Sequence, residues 1–219
     1  LDSGFLNGLR ELTTRYGVVF ILDEVVTGFR CAPGGAQAYY GIEPDLCTLA
    51  KVLAGGMNGG AVVGTKDIMD LLEIRPDPEW QRKMKMPHYG TFNASPLSAA
   101  AGIAALEIVE TGEDIIIAND LAELLRNQLS EVLQSHKLEE WHVYGAFSGV
   151  KISYSEDRSL SRRGNLDLIH SIRQGWLLNG VDMSGVDGLT SSAHTVRDVA
   201  HTAEAFDATL SSLKRDHLI

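Results

Sequence analysis

Cysteine is scarce in this sequence: Cys31 and Cys47 are the only two in 219 residues. They form no CxxC pair, so neither a disulfide framework nor a cysteine-held metal cluster is expected. No apolar run approaches the length of a membrane span, and no signal peptide precedes the first predicted helix. Together these absences lead to the expectation of a cytoplasmic protein without a membrane anchor. Positive charge is also in short supply. Nineteen basic residues face 29 acidic ones, a net charge of −10. That balance argues against nucleic acid or an anionic membrane as the main partner. The seven histidines show no HExxH spacing, so no metal site is expected. His194 and His201 could share a helix face, which solvent exposure explains equally well. No GxxxxGK[ST] loop, internal repeat or low-complexity tract occurs.

What is present is ordinary globular composition, 44% hydrophobic and 22% charged. The chain opens on Leu1, inside an amphipathic helical pattern of Phe5, Leu6, Leu9 and Leu12. The expectation is that an N-terminal portion precedes it; a processed mature chain is the alternative. Val18 to Leu22 is a continuous β-rich apolar run, the pattern of a buried parallel strand. Asp23-Glu24 ends it. Leu46 to Ala50 is a second predicted strand, ending at Lys51, and Ala61 to Gly64 is a third, beyond a glycine-rich turn at 55–60. Arg75 to Pro87, polar and with three prolines, reads as an exposed loop. Pro96 starts an alanine-rich helix to about Glu110, and Thr111-Gly112 breaks it. A second long helix runs from Glu113 to about His136, with Leu121, Leu124, Leu125, Leu129 and Val132 on one face. Val143 to Phe147 and Val150 to Tyr154 read as strands, Leu166 to Leu178 as a helix, Leu189 to Ser192 as a strand, and Val196 to Leu213 as the last helix. Alternating strands and helices make the first half α/β. The second half reads as a smaller α+β unit, with the boundary near Gly112.

Three elements could carry chemistry. Asp23 should stand at the carboxyl end of a parallel strand, the edge where open α/β sheets bind ligands. A carboxylate there needs a cation or donors. A protonated pyridine nitrogen would serve, and so would Mg²⁺. The second option describes the Walker B strand of a P-loop ATPase, with Val18–Glu24 as that strand and the phosphate loop in the absent N-terminal portion. Lys51 follows an apolar strand and precedes Gly55-Gly56. A lysine entering a packed region loses its preference for the charged form and becomes a nucleophilic amine, although a lysine after a strand is more often a solvated one. His88 to Pro96 offers hydroxyls and free amides before a helix N-terminus, an arrangement suited to phosphate. An ordinary helix start capped by Asn93 or Ser95 fits as well.

Taken in order, these segments resemble one family. Phe20-Ile21-Leu22-Asp23-Glu24-Val25-Val26-Thr27-Gly28-Phe29-Arg30 resembles the cofactor strand of the class III aminotransferases. Gly41-Ile42-Glu43-Pro44-Asp45-Leu46 with Lys51 and Gly55-Gly56 resembles their lysine segment, and Gly90-Thr91-Phe92 with Pro96 their phosphate-contact segment. The resemblance runs to the end of the chain. It implies the type I fold of pyridoxal-phosphate transferases, with residues 1–112 as the later part of the large α/β domain and 113–219 as the small C-terminal α+β domain. The implied cofactor is pyridoxal 5'-phosphate, passing through its pyridoxamine form. The implied roles follow residue by residue. Asp23 pairs with the pyridine nitrogen, Val25 packs on the ring, and Lys51 holds the cofactor as a Schiff base and moves a proton. Gly90 and Thr91 contact the phosphate, Thr91 reaching the partner subunit's cofactor in a homodimer.

Within the family the resemblance is closest to the glutamate-1-semialdehyde aminomutase group. Val25-Val26-Thr27-Gly28 lacks the glutamine that many other members place after the valine, and Ser191 to Asp198 resembles that group's C-terminal segment. No arginine lies between Arg173 and Arg197, where many members bind a substrate carboxylate. The implied substrate is a small amino or keto acid, or an amino-aldehyde, in an aminomutase or transaminase reaction; an omega-aminotransferase of other substrate and a non-catalytic relative are the alternatives inside the family. Asn58 stands where the family usually has proline, and the 75–87 loop is longer than in typical aminomutases. The family's N-terminal portion supplies a further phosphate loop and the aromatic ring stacked on the cofactor, so the chain alone is expected to be inactive. Arg162-Arg163 reads as a solvated pair, and Trp80, Trp141 and Trp176 read as packing residues.

Overall fold

The computed structural model describes residues 4–154 and 166–219, which divide into two compact units, Leu1–Gly112 and Glu113–Ile219. Arg162 and Arg163 lie outside the described residues.

In the first unit, helix α1 (Phe5–Tyr16) stops at Gly17, whose φ of 62° is the left-handed cap that glycine adopts without strain. Strand β1 (Ile21–Asp23), helix α2 (Gly35–Tyr40) and strand β2 (Leu46–Ala50) follow. A 3₁₀ turn at Lys51–Ala54 leads to β3 (Gly60–Gly64). Helix α3 (Lys66–Met69), a second 3₁₀ turn at Asp70–Leu72, α4 (Pro78–Lys83) and α5 (Pro96–Val109) complete the unit. The sheet order is β1-β2-β3, with β1 parallel and β3 antiparallel to β2. Asp45 anchors the parallel pair: its carboxylate accepts the Phe20 N–H at 2.7 Å and pairs with Arg10 at 3.1 Å. The Phe20 N–H, and after it Arg10, holds the Asp45 carboxyl below the usual carboxylate range.

Two expectations need correction here. The run Val18 to Leu22 is not a fully buried strand. Only its last two residues join β1, and although Phe20 is buried, Val18, Val19 and Ile21 are each more than half exposed. An apolar run on both faces requires cover on both, and the described residues cover one. The segment 75–87 is likewise not all loop. Asp77 accepts the Glu79 N–H and Pro78 occupies the first helical position, a cap-and-proline start strong enough to nucleate α4. Trp80 is fixed there by its indole N–H on the Glu73 carbonyl and by the Arg75 guanidinium over its ring.

The second unit packs three helices, α6 (Glu113–Ser135), α7 (Leu166–Leu178) and α8 (Val196–Arg215), with an antiparallel sheet. Its strands are β4 (His142–Tyr144), β5 (Gly149–Ser153) and β6 (Asp187–Leu189), in that order. β6 begins two residues earlier than the apolar pattern suggested. Leu121, Leu125 and Leu129 of α6 are buried, with Leu124 and Val132 at the margin. Trp176 is fully buried, stacked on Phe206 at 5.0 Å, and its indole N–H donates to the Gly185 carbonyl. Trp141 packs against the same core. Helix α8 starts with a capping box between Thr195 and Asp198, two donors satisfied reciprocally. No helix among the described residues is long and apolar enough to cross a membrane.

Leu129 has no exposed surface. Leu129→Ala should therefore cost about 2–5 kcal/mol through lost transfer energy and a residual cavity. Chemical denaturation of the protein with and without the substitution checks this; a loss below about 1 kcal/mol would contradict the packing of α6.

Candidate active site

The site is built on the carboxyl edge of the β1-β2 pair. The register aligns Ile21 with Leu46, Leu22 with Cys47 and Asp23 with Thr48. The Glu24 N–H extends the ladder onto the Thr48 carbonyl at 2.9 Å. Asp23 thus ends β1 level with Thr48, and Lys51 follows Thr48 by three residues at the same end of β2. The Asp23 carboxylate is fixed through one oxygen. Oδ1 accepts the Val25 N–H and the Thr48 hydroxyl, each at 2.9 Å, and no hydrogen bond among the described residues reaches Oδ2. The Val25 N–H, then the Thr48 hydroxyl, hold this carboxyl below the usual carboxylate range, and the Lys51 charge adds to the effect. Asp23 is therefore an anion with one oxygen available, near an amine.

Lys51 adopts φ 53°, a left-handed conformation that a residue with a side chain takes at a cost. The surrounding fold enforces it. The 3₁₀ turn closes on Gly55, itself left-handed at φ 57°. Helix α5 packs directly on this turn: a Cβ at Gly55 would collide with the Ala101 carbonyl, and one at Gly102 would stand 2.5 Å from the Leu53 carbonyl. The Ser98 hydroxyl also donates to the Asn58 carbonyl at 2.7 Å, so Asn58 ties the glycine-rich turn to α5. Contrary to expectation, Lys51 does not enter a packed region; it is exposed, because the carboxyl edge of β2 is open among the described residues.

Glu24, for which the sequence offered no independent argument, has no exposed surface. Its carboxylate accepts the Ala36 and Gln37 N–H groups at 2.7 and 2.8 Å, at the N-terminus of α2, and the Thr27 hydroxyl at 2.8 Å. Gly35, at φ 74°, leaves room for it, since a Cβ there would lie 2.6 Å from Oε2. Glu24 thereby folds the 24–37 segment back and fixes the chain immediately after Asp23. Thr48 was missed; its only signal was its place opposite Asp23, which depends on a register the sequence does not display. The two cysteines are poor nucleophile candidates. Burial, followed by the Glu24 charge, pushes the Cys31 thiol up to about 11 and raises that of Cys47.

Gly90 and Thr91 are exposed, in a turn before α5, and make no hydrogen bond to Asp23 or Lys51 among the described residues. Ser95 caps α5 through the Ser98 N–H, and Pro96 takes the first helical position. A cleft of about 480 Å³ lies beside this turn, lined by Asn58, His88, Phe92, Asn93, Ser95 and neighbouring residues of α5. It contains neither Asp23 nor Lys51, which stand at the sheet edge. No grouping of three or more metal-ligating side chains occurs among the described residues.

The profile of the family Aminotransferase class-III matches residues 1–197. The chain belongs to the class III aminotransferase family. Glutamate-1-semialdehyde 2,1-aminomutase of Sulfurisphaera tokodaii is 40% identical over 97% of this chain and 50% of its own length. The enzyme of the same name from Methanosarcina acetivorans is 35% identical over 93% and 47%. Among solved structures, a glutamate-1-semialdehyde aminomutase from Pseudomonas aeruginosa PAO1 superposes with a TM-score of 0.82 at 26% identity, over 96% of this chain and 48% of that one. An omega-transaminase from Sphaerobacter thermophilus gives 0.80 at 29%, over 97% and 48%. The chain spans about half the length of the curated relatives it matches. The class III aminotransferase fold, type I among pyridoxal-phosphate enzymes, is thus the fold of this chain. The strand ending at Asp23 is a strand of that fold and not the Walker B strand of a P-loop ATPase.

Replacing Glu24 by Ala should destabilise the protein by about 1–3 kcal/mol, since the buried N–H of Ala36 and the partly buried N–H of Gln37 lose their acceptor. Glu24→Gln, which keeps one acceptor oxygen, should cost less. Thermal unfolding of the two variants checks the order; equal stability of Glu24→Ala and the parent would contradict the clamp.

Proposed function

We propose that this protein is a pyridoxal-phosphate-dependent enzyme of amino-group transfer, glutamate-1-semialdehyde-aminomutase-like, in which Lys51 carries the cofactor. The observation that carries the reading is the pairing of a strained, exposed lysine at the end of β2 with an ionised Asp23 at the end of β1, whose Oδ2 is available. The residues fit the group. A cationic ring nitrogen matches a carboxylate held in its charged form. An aldehyde matches a primary amine, and a phosphate matches the hydroxyl of Thr91 with the amides around Gly90, close to the start of a 14-residue helix.

When bound, pyridoxal phosphate supplies an electron sink for charge developing on the amine-bearing carbon. Asp23, with Oδ2 available, would hold a protonated ring nitrogen in its charged form. Val25 is half-buried beside it and offers an apolar side chain to the ring. Lys51 Nζ would hold the cofactor as its amine anchor, and the same amine, when free, would serve as the base and acid that moves a proton. Thr48 and Glu24 keep Asp23 and its following chain in position.

The first unit serves as the later part of the large cofactor domain and the second as the small C-terminal domain. Relatives at 33–40% identity, all named aminomutases, support an amino-aldehyde or small amino or keto acid substrate. The omega-transaminase neighbour supports transfer between two molecules as the second reading. Thr91 reaches a partner subunit's cofactor in a homodimer; the exposure of Tyr89 and Phe92, at 91% and 78%, supports a covering chain there. Two free, buried cysteines support a cytoplasmic setting.

In the complete enzyme, Lys51→Ala should abolish turnover while some cofactor remains bound noncovalently, and Asp23→Ala should weaken both cofactor affinity and rate. Undiminished turnover by Lys51→Ala in a steady-state assay would overturn the assignment.

A further inference from the structure

We infer that Thr48 is a positioning residue, whose hydroxyl fixes the Asp23 carboxylate through Oδ1 and leaves Oδ2 to meet the cofactor; this rests on the reading of Asp23 given above. The parallel register sets Thr48 level with Asp23, and the hydroxyl donates at 2.9 Å to the same oxygen that accepts the Val25 N–H. Two donors on one oxygen fix the carboxyl plane and favour its ionised form. Of the two, the Val25 amide belongs to the main chain, so the side chain that sequence can change is Thr48. It is half-buried in the middle of the strand that leads into Lys51, and its hydroxyl is bonded to the carboxylate itself. Among the described residues, the charged and titratable groups that act on Asp23 or adjoin it are these. Lys51 acts on it from the turn after β2, Cys47 lies on β2, and Glu24 points away into its own donors on α2.

The sign of the effect follows from the hydrogen bond. A donor to the carboxylate lowers its pKa, so removing the hydroxyl raises it, and Asp23 takes up its proton at a higher pH. Cofactor affinity, which needs the anion, should then fall off earlier on acidification.

The test is a titration of the full-length protein with pyridoxal phosphate, followed by cofactor absorbance across pH, for the parent, Thr48→Val, Thr48→Ser and Asp23→Asn. For Thr48→Val the acid limb of the affinity profile should move to higher pH, with affinity about threefold or more below the parent on that limb, the scale of the net contribution of one ordinary hydrogen bond. Thr48→Ser, which keeps the hydroxyl, should follow the parent. An unshifted acid limb in Thr48→Val, or the same change in Thr48→Ser, overturns the inference. Asp23→Asn separates the two levels: a parental affinity there overturns the role of Asp23 itself, whereas a loss there with an unshifted Thr48→Val overturns only the role of Thr48.

Discussion

The parallel pairing of β1 with β2 sets everything else in the site. It aligns Asp23 with Thr48, brings the Thr48 hydroxyl onto the carboxylate, and delivers Lys51 to the same edge of the sheet. A shift of the pairing by one residue would move Thr48 off the Asp23 carboxylate. Asp45 pins that register from the other end, binding the Phe20 amide and Arg10 where β2 begins. Polar anchors at both ends of so short a strand pair compensate for the little apolar surface that three residues of β1 can bury.

The second constraint is close backbone approach. Lys51 can hold a left-handed conformation only because the turn after it is fixed, and α5 fixes it. Gly102 and Gly55 let helix and turn approach to distances that a Cβ would forbid, and Ser98 joins α5 to the Asn58 carbonyl. Asn58, in place of the usual proline, offers that bond as a main-chain carbonyl, which proline also carries. The bond therefore does not depend on the residue type at 58. Strain at Lys51 and tight packing behind it are two sides of one arrangement.

Much of this was legible in the sequence, for identifiable reasons. Pro96 after Ser95, and the Thr195–Asp198 pair, are local signals whose geometry involves only neighbours, so α5 and α8 begin where expected. The leucine spacing of α6 marks its buried face because a helix has a fixed period. Asp23 and Lys51 stood out because each ends an apolar strand. The errors arose where tertiary surroundings decide. Val18 to Leu22 reads as buried, yet burial depends on what covers each face. Lys51 was expected to be packed for the same reason. The dipeptide Asp77-Pro78 carried a helix start that proline content obscured. Thr48 became visible only through Asp23, 25 residues away, and Glu24, beside Asp23 in the sequence and plausible as its support, acquired a reason for that role only through Ala36, 12 residues away.

The central claim is that Lys51 is the amine that carries the cofactor. Its most direct test is borohydride reduction of the full-length protein with pyridoxal phosphate, followed by peptide mass mapping. The account predicts a phosphopyridoxyl adduct on the peptide containing Lys51. A folded protein with no adduct there, or with its adduct on another lysine, would contradict it.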